Sequence, residues 1–466
     1  MSAIEALCAQ AVGPKHAARV SRHVLAQLTC LGSHTVTGLL TTCGRQFQDW
    51  SADYRLYGRN RVRPEDLFEP VRRHLIQQNE PIVTALDDTR LQKSGRKVYG
   101  AKYLRDPLGP PFHTNFIRAQ RFVQTAMACK GKDGQARMIP IDWVHAPLPE
   151  KPPPNASEKQ WGAYRRQRRA ARIGCIGAQR IRHLRRWFNH HGAQDCLLWT
   201  VVDGAFTNGP VLKNLPENTT LVGRIRADAK LHYLPKQQPK AQGRRRVYGP
   251  QAPTPQQLRQ DEHVPWRHIE VFYGGKKRTL RVKQLAPLRW RAAGEKHDLQ
   301  LLVLAPTPYR LSKNSRLLYR KPAYLICTDP AADPVDVIQH YLWRWDIEVN
   351  FRDEKTLFGL GDAQVRTAPA VQNVTGCAVA AYAILLLAAV LSKRNGATIE
   401  HLPAPKWQRP KSLRTTTQRL KQNLRYEIWG RSINFSGLMT HQHANTKSPK
   451  TSPSIGSAVF YASEYS

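Results

Sequence analysis

Three carboxylates stand at positions from which side chains can hold a metal ion. Asp87 directly follows the apolar run Pro81–Leu86, and Asp203 follows the apolar run Cys196–Val202. Because ligands bind at the carboxyl ends of strands in open α/β sheets, both residues are candidates for one site. Glu348, on a predicted helix, is the third candidate. Mg²⁺ prefers carboxylate oxygens, and two such ions can activate a water and stabilise a leaving 3′ oxygen on phosphate.

The helix that carries the third carboxylate is predicted to run from Pro334 to about Phe358. At 100° per residue, five of its polar residues fall within an arc of roughly 80°: Tyr341, Arg344, Glu348, Arg352 and Lys355. Apolar residues flank this arc on both sides, so the helix should be mostly buried, with its polar edge facing a cleft. The segment 329–362 holds eight acidic residues and three Lys or Arg in a chain of net charge +38, which favours a cation site.

Simpler interpretations of the same residues stay open. Asp88 is an alternative ligand to Asp87, although Asp87 is favoured. The alternative for Arg344 is a simple i,i+4 pair with Glu348, and the alternative for Lys355 is a cation favoured by the dipole at the helix end. Asp353 and Glu354 are expected to be solvated or to lie behind the metal ligands.

Three short motifs resemble those of bacterial DDE transposases of the insertion-sequence-four superfamily. The run 87–89, Asp-Asp-Thr, is similar to the first motif of that group, D-x-T, and the run 202–208 is similar to its second-aspartate motif. The spacing Y-(2)-R-(3)-E-(6)-K, which is the group's signature, is formed by Tyr341, Arg344, Glu348 and Lys355. The resemblance covers about residues 80–365, and the motifs follow in the same order.

The resemblance implies an α/β fold with a ribonuclease-H-like mixed-sheet catalytic core, a β-rich insertion and an N-terminal helical domain. It implies that Asp87, Asp203 and Glu348 bind two Mg²⁺, for which Mn²⁺ can substitute. It also implies that Tyr341, Arg344 and Lys355 hold DNA phosphates near the transposon end.

The reaction implied by the resemblance is cleavage and strand transfer of an insertion sequence, by cut-and-paste through a hairpin intermediate. The expected partners are double-stranded DNA, as terminal inverted repeats and target DNA, and a second copy of the chain in a homodimer on paired ends. A flipped base needs an aromatic platform, for which Trp266 and Trp290 are candidates, although a core role is commoner for Trp. An inactive DNA-binding regulator and a nuclease without strand transfer are the alternatives.

The elements that must position these residues divide the chain into four regions. They are an N-terminal helical DNA-binding region (1–78), a catalytic core (79–219 and 321–395), a β-rich insertion (220–320) and a basic C-terminal region with a disordered tail (396–466). A helix-turn-helix and a plain helical bundle are both open for the first region. A long basic helix is predicted at 157–190, with some Arg residues solvated and others contacting a phosphate backbone.

The bulk composition points to a polyanionic partner. The chain has 72 Lys and Arg against 34 Asp and Glu, and nucleic acid is the commonest partner for such an excess. Its eight Cys include no CxxC pair, which argues against a zinc module. The first 15 residues lack a signal-peptide pattern, so a bacterial cytoplasmic, nucleoid-associated protein is expected. The apolar segment 374–391 is interpreted as a buried helix, with a membrane span as the alternative.

Overall fold

The computed structural model describes most of the chain. The described residues are 1–77, 79–106, 109–110, 112–131, 134–235, 245–396, 402, 414–430 and 459–460. The predicted disordered tail, after about residue 440, lies outside them apart from residues 459–460.

The helices of the described ranges are α1 (Ser2–Ala11), α2 (Pro14–Thr29), α3 (Val36–Thr42), α4 (Ser51–Gly58), α5 (Pro64–Leu75), α6 (Glu158–Ala170), α7 (Ile173–His190), α8 (Gly209–Leu212), α9 (Pro255–Gln260), α10 (Pro334–Arg344), α11 (Asp346–Leu357), α12 (Ala368–Arg394) and α13 (Thr417–Trp429). The strands are β1 (Ile82–Gln92), β2 (Lys102–Arg105), β3 (Phe116–Lys130), β4 (Ala136–His145), β5 (Leu198–Val202), β6 (Thr219–Arg224), β7 (Leu231–Tyr233), β8 (Arg267–Tyr273), β9 (Lys276–Trp290), β10 (Gly294–Leu304), β11 (Pro308–Tyr309), β12 (Leu318–Tyr319) and β13 (Ala323–Cys327).

One mixed sheet of eleven strands organises the described part of the chain. Its order is β2-β3-β1-β5-β6-β13-β10-β9-β7, with β4 paired to β3 and β8 paired to β9. Strand β3 pairs with β1 on one side and with β4 on the other, antiparallel to both. Strands β1, β5 and β6 run parallel to one another. Helices cover the sheet, so this β4-β3-β1-β5-β6 unit confirms the predicted ribonuclease-H-like α/β core.

The central position of β5 follows from its composition. All five residues of the strand, Leu-Trp-Thr-Val-Val, are buried, as expected for a parallel strand covered on both faces. Strands β7, β9 and β10, which come from the predicted β-rich insertion, extend the same sheet beyond β13. The insertion is therefore continuous with the core sheet through the antiparallel pairing of β10 and β13.

The apolar segment 374–391 lies within α12, the longest helix in the described ranges. By length and composition α12 is able to span a membrane, but 78% of its most apolar window is buried inside the protein. It packs against β4 and against helices α1, α2, α4 and α5. The N-terminal helices thus share a core with α12, which fits the interpretation of a buried helix.

Two helices predicted as continuous are each divided in two. The predicted helix 157–190 is interrupted at Ala171 and Arg172, which separate α6 from α7. The predicted helix 334–358 is interrupted at Trp345, whose side chain is 58% exposed. Periodicity did not reveal these breaks because helical residues continue on both sides of each, and the reasons for them are tertiary contacts described below.

Candidate active site

Asp87 and Asp203 lie side by side at the edge of the sheet where β5 ends: Asp203 directly follows β5, whereas Asp87 lies inside the longer strand β1 and not at its end as the sequence predicted. Strands β1 and β5 are parallel, with Leu86 opposite Val202, so the register brings the next residue of each strand together. Adjacent strands are about 4.8 Å apart. The Asp203 carboxylate accepts a hydrogen bond from the backbone N–H of Ala205 at 2.9 Å, which fixes the turn after β5.

Asp88 lies on the other face of β1, because successive side chains of a strand point to opposite faces. Burial raises the pKa of Asp88, and the charges of Arg121 and Arg90 oppose that rise. Asp87 instead faces α10, where Arg344 Nη1 donates to its Oδ2 at 2.8 Å. Of the two residues, Asp87 is therefore the one on the side of Glu348.

Arg344 joins the first and third candidate carboxylates. Its Nη2 donates to Glu348 Oε1 at 2.8 Å, while its Nη1 is bonded to Asp87. The Arg344 side chain is 8% exposed and that of Glu348 is 38% exposed. The interpretation of Arg344 as a surface i,i+4 partner is therefore incomplete, because this buried guanidinium also reaches a strand 257 residues away in sequence.

The helix that carries Glu348 is anchored on β4 by residues that the sequence did not single out. Asp346 Oδ2 accepts from the N–H of Met138 at 3.0 Å, and Asn350 Nδ2 donates to the carbonyl of Met138 at 2.9 Å. Arg414 also donates to both oxygens of Asp346 at 2.9 Å. These bonds place the start of α11 against the sheet, which accounts for the break at Trp345 and sets the position of Glu348.

The Asp87 carboxyl shares a confined space with another acid. Burial raises its pKa to about 7, and the charge of Asp203 adds to the rise while Arg344 opposes it. A carboxyl whose ionisation is opposed by burial and by a neighbouring carboxylate is suited to binding a cation, which offsets the unfavourable charge.

The residues present fit a divalent metal in chemistry. All three candidates supply hard oxygen donors, and two of them are neighbours, Asp87 within β1 and Asp203 directly after β5. In the ranges that the structure describes, however, no three His, Cys, Asp or Glu side chains are gathered closely enough to hold one ion. Arg344 supplies the positive charge between Asp87 and Glu348, so metal binding by both carboxylates requires this guanidinium to release at least one of them.

The acidic segment 329–362 does not form one cation site, contrary to the sequence-based interpretation. Asp333 caps α10 by accepting from the N–H of Val335 at 2.9 Å, and Asp346 is bound to Arg414. Asp362 accepts from the N–H of His34 at 2.8 Å. The acidic side chains serve separate elements, and Glu348 is the one that reaches Asp87 through Arg344.

Asp353 and Glu354 are buried, which excludes the solvated alternative and leaves the alternative that they lie behind the proposed metal ligands. They are 4% and 1% exposed, respectively. Asp353 is paired with Arg352 at 2.8 Å, whereas Glu354 faces Gln124, the residue opposite Asp87 on β3. Burial raises the pKa of Glu354 to about 8, so its carboxyl is mostly neutral at pH 7.

The other signature residues flank this centre. The Tyr341 ring lies beneath the Arg344 guanidinium, with 5.7 Å between the Arg344 Cζ and the ring centroid. Lys355 is exposed on α11, seven residues beyond Glu348, so it lies two turns away on the same side of the helix, at about 10.5 Å along its axis. Tyr341 thus contacts the centre through Arg344, and Lys355 stands further along the same face.

The two candidate tryptophans occupy different surroundings. Trp290 lines a cleft of about 1000 Å³ together with Gly204, which follows Asp203, and with Arg224 and Lys321. Trp266 lies under two cations of β9, with Lys283 Nζ 4.8 Å from its ring centroid, and does not line this cleft. The structure therefore brings Trp290, but not Trp266, to the second-aspartate turn.

Comparison with known proteins identifies the family of the chain. No curated protein sequence matches the chain. The family described as DDE superfamily endonuclease matches residues 11–292, a stretch that contains Asp87 and Asp203 and ends before Glu348. That match spans more than half of the 466 residues. The chain therefore belongs to the DDE superfamily endonuclease family.

Proposed function

We propose that this protein is a DNA transposase of the insertion-sequence-four superfamily, with Asp87, Asp203 and Glu348 as its catalytic carboxylates. The observation that carries the proposal is the parallel register of β1 and β5, which sets the two Asp side by side. The link from Asp87 through Arg344 to Glu348 adds the third carboxylate.

Asp87, Asp203 and Glu348 would hold two Mg²⁺ ions, or Mn²⁺ in their place. Bound there, the ions would activate the attacking hydroxyl or water and stabilise the leaving 3′ oxygen. The chain's own part is to orient these carboxylates: the turn at Ala205 holds Asp203, and the anchoring of α11 on β4 holds Glu348.

Arg344, Tyr341 and Lys355 would position the DNA. With Asp87 and Glu348 engaged as metal ligands, the planar guanidinium of Arg344 would be free to bind phosphate through two hydrogen bonds. Tyr341 supports it from below, and the exposed Lys355 extends the positive surface along α11. Trp290 is the better placed of the two Trp to stack an unpaired base during hairpin formation, since it lines the cleft beside Gly204.

Incubation of the purified protein with Mg²⁺ and a plasmid carrying the element and its terminal inverted repeats tests the proposal. We expect cleavage at the element ends, hairpin ends on the excised element, and joining of its 3′ hydroxyl to a second DNA. Omission of the metal should stop both steps, and crosslinking should capture two copies of the chain on paired ends.

The other outcomes identify different functions. Cleavage without joining to a second DNA would identify a nuclease without strand transfer. Binding to the ends with no cleavage in Mg²⁺ or Mn²⁺ would identify a DNA-binding regulator. Either result would overturn the transposase proposal.

A further inference from the structure

Helix α6 is an exposed and strongly basic element that the proposed chemistry does not use. It has no buried residue, although a capping box between Ser157 and Gln160 gives it a defined start. Four of its arginines are exposed and form what we call the α6 arm: Arg165, Arg166, Arg168 and Arg169. A helix normally depends on an apolar face packed on a core, so an exposed helix of like charges suggests a partner that supplies the stabilisation.

The α6 arm ends close to the catalytic edge of the sheet. Arg121 Nη2 donates to the carbonyl of Ala171, directly after α6, at 2.6 Å. The next helix, α7, begins against the second-aspartate turn, since a Cβ added at Gly174 would lie 2.5 Å from Asn208 Oδ1. The far end of α7 lies at the start of β5, where Arg185 Nη1 donates to the carbonyl of Cys196 at 2.7 Å. Helix α7 therefore runs away from the catalytic edge, and α6 precedes it there.

Two further arginines lie between the α6 arm and the carboxylates. Arg90 and Arg121 are directly opposite each other on β1 and β3. Like charges at such positions repel, and Asp88 lies near them as an opposing acid. Within the described part of the chain, Arg90 Nε and Nη1 are buried and have no hydrogen-bond partner. Unsatisfied guanidinium donors beside a second Arg suit a phosphate group.

We infer that the α6 arm and the Arg90–Arg121 pair form a track for the phosphates of a DNA duplex, on the Asp88 face of β1. This track is separate from the Arg344 and Lys355 side, which faces α10 and α11. The inference rests on the proposed function, because it identifies where the DNA substrate continues beyond the active site.

Charge density identifies the partner as duplex DNA. The four guanidiniums span about 6 Å of helix axis, and duplex DNA carries three to four phosphates over about 6 Å. They also fall within an arc of about 160°, so they can face one surface together. Each guanidinium can bind phosphate with two hydrogen bonds. One of them, Arg165, is paired with Glu158, so removal of the Glu158 charge would increase the net positive charge of the α6 arm.

The test is the salt dependence of binding to a fluorescent DNA duplex of arbitrary sequence, measured without metal on the full chain. Replacing all four arginines of the α6 arm by Gln should make the slope of log affinity against log salt shallower by about 3. Replacing them by Lys should keep the slope. Glu158→Gln should make it steeper by up to about 1, because Arg165 is then released.

A charge-matched control separates the α6 arm from net charge. It carries Gln at four exposed cations elsewhere: Lys276, Lys277, Lys313 and Arg316. This control should keep most of the slope, with a melting temperature equal to that of the parent protein. An equal loss in the control, or an unchanged slope in the α6 variant, would overturn the inference. If the Gln variant does not fold, Glu158→Gln carries the same test, and an unchanged slope there would also overturn it.

The result is independent of the test of the proposed function. A protein that loses binding with the α6 arm but never cuts DNA overturns the transposase proposal and leaves this inference standing. If the parent protein cuts and joins DNA but the α6 variant keeps the salt dependence of binding, the transposase proposal stands and this inference is overturned.

Discussion

Arg344 acts as an internal counter-ion between two proposed metal ligands. Its buried guanidinium holds Asp87 and Glu348 at 2.8 Å each. A buried charge that loses its partner is costly, so the metal-free protein depends on this contact. The same residue is proposed to bind phosphate once metal is present, so its substitution should affect both stability and catalysis.

Arg344→Lys should weaken both properties. An ammonium cannot reproduce the two-pronged contact, so the metal-free melting temperature should fall, by about 1 °C per kcal/mol lost in a chain of 466 residues. Mg²⁺ should raise the melting temperature of the variant more than that of the parent, because the weaker ammonium contact competes less with the ion for the two carboxylates. Cleavage should be about 10²-fold slower, as expected for a displaced phosphate.

Lys355→Ala is the matched comparison for Arg344→Lys. Lys355 is exposed and makes no described contact with Asp87 or Glu348, so its loss should leave the melting temperature unchanged and slow cleavage alone. Thermal melts with and without Mg²⁺, combined with cleavage rates, distinguish the two variants. Normal cleavage in both variants would mean that Arg344 and Lys355 only stabilise the helix and do not position DNA.

Glu354 should give stability a distinctive pH dependence. Its pKa rises from 4.5 to about 8 in the folded protein, so the folded state keeps a proton that the unfolded chain has lost. The free energy of unfolding should therefore fall as pH rises from about 4.5 to about 8, by at most about 1.4 kcal/mol per pH unit from this group. Glu354→Gln should remove that decline.

Denaturant titrations of Glu354→Gln and the parent protein between pH 5 and 9 measure the difference. Glu262→Gln, at an exposed carboxylate, is the control and should follow the parent curve. Parallel curves for Glu354→Gln and the parent would show that Glu354 is ionised within the fold.

At this scale the sequence predicted residues whose role is set by local position. Asp87 and Asp203 follow apolar runs, and Glu348 stands four residues after Arg344, so local sequence patterns were enough to identify all three as candidates. The burial of Glu354 and the anchoring by Asp346 depend on Gln124 and Met138, more than 200 residues earlier. No local pattern encodes such partners.

Among the elements, α7 and β6 hold the second-aspartate turn through one glycine each. A Cβ at Gly177 would lie 2.7 Å from Cδ1 of Phe206, which is fully buried and cannot move aside. The neighbouring Thr207 packs against Gly223 in the same way. The turn that carries Asp203 is therefore held between α7 and β6, and glycine is required at both contacts by close approach.

Gly177→Ala should destabilise the protein by about 1–3 kcal/mol, the range for an overpacked core. It should also slow metal-dependent cleavage, because the turn after Asp203 must shift. Gly162→Ala in α6 is the control: the nearest side-chain atom would be 3.6 Å away, so it should be neutral or slightly stabilising. Equal stability of the two variants would contradict the close packing of α7 on this turn.

The elements were more predictable than their interruptions. Continuous apolarity identified β5 and α12 because each is buried on all sides. The divisions at Ala171 and Trp345 follow from contacts with Arg121 and β4, which helical periodicity does not reflect. The domain boundaries at 79, 220, 321 and 396 stay a prediction.

Over the whole molecule, the charge of +38 should dominate DNA binding. Each phosphate neutralised releases condensed counterions, so log affinity should fall with log salt at a slope of about −4 or steeper for four or more contacts. Fluorescence anisotropy with a DNA duplex at several salt concentrations measures this slope. A slope near zero would contradict a binding surface built from Lys and Arg.

The pairing of Asp87 with Asp203 and Glu348 is the central claim, and Asp88 provides a built-in control one residue away. The direct measurement is the rate of Mg²⁺-dependent strand cleavage by Asp87→Asn and Asp88→Asn, with DNA affinity and melting temperature recorded for each. Loss of a metal ligand should cost several kcal/mol of transition-state stabilisation, so Asp87→Asn should be slower by at least about 10³-fold with DNA binding retained. Asp88→Asn, on the opposite face of β1, should stay within about 10-fold of the parent protein. Full activity of Asp87→Asn, or a greater loss in Asp88→Asn, would contradict the account.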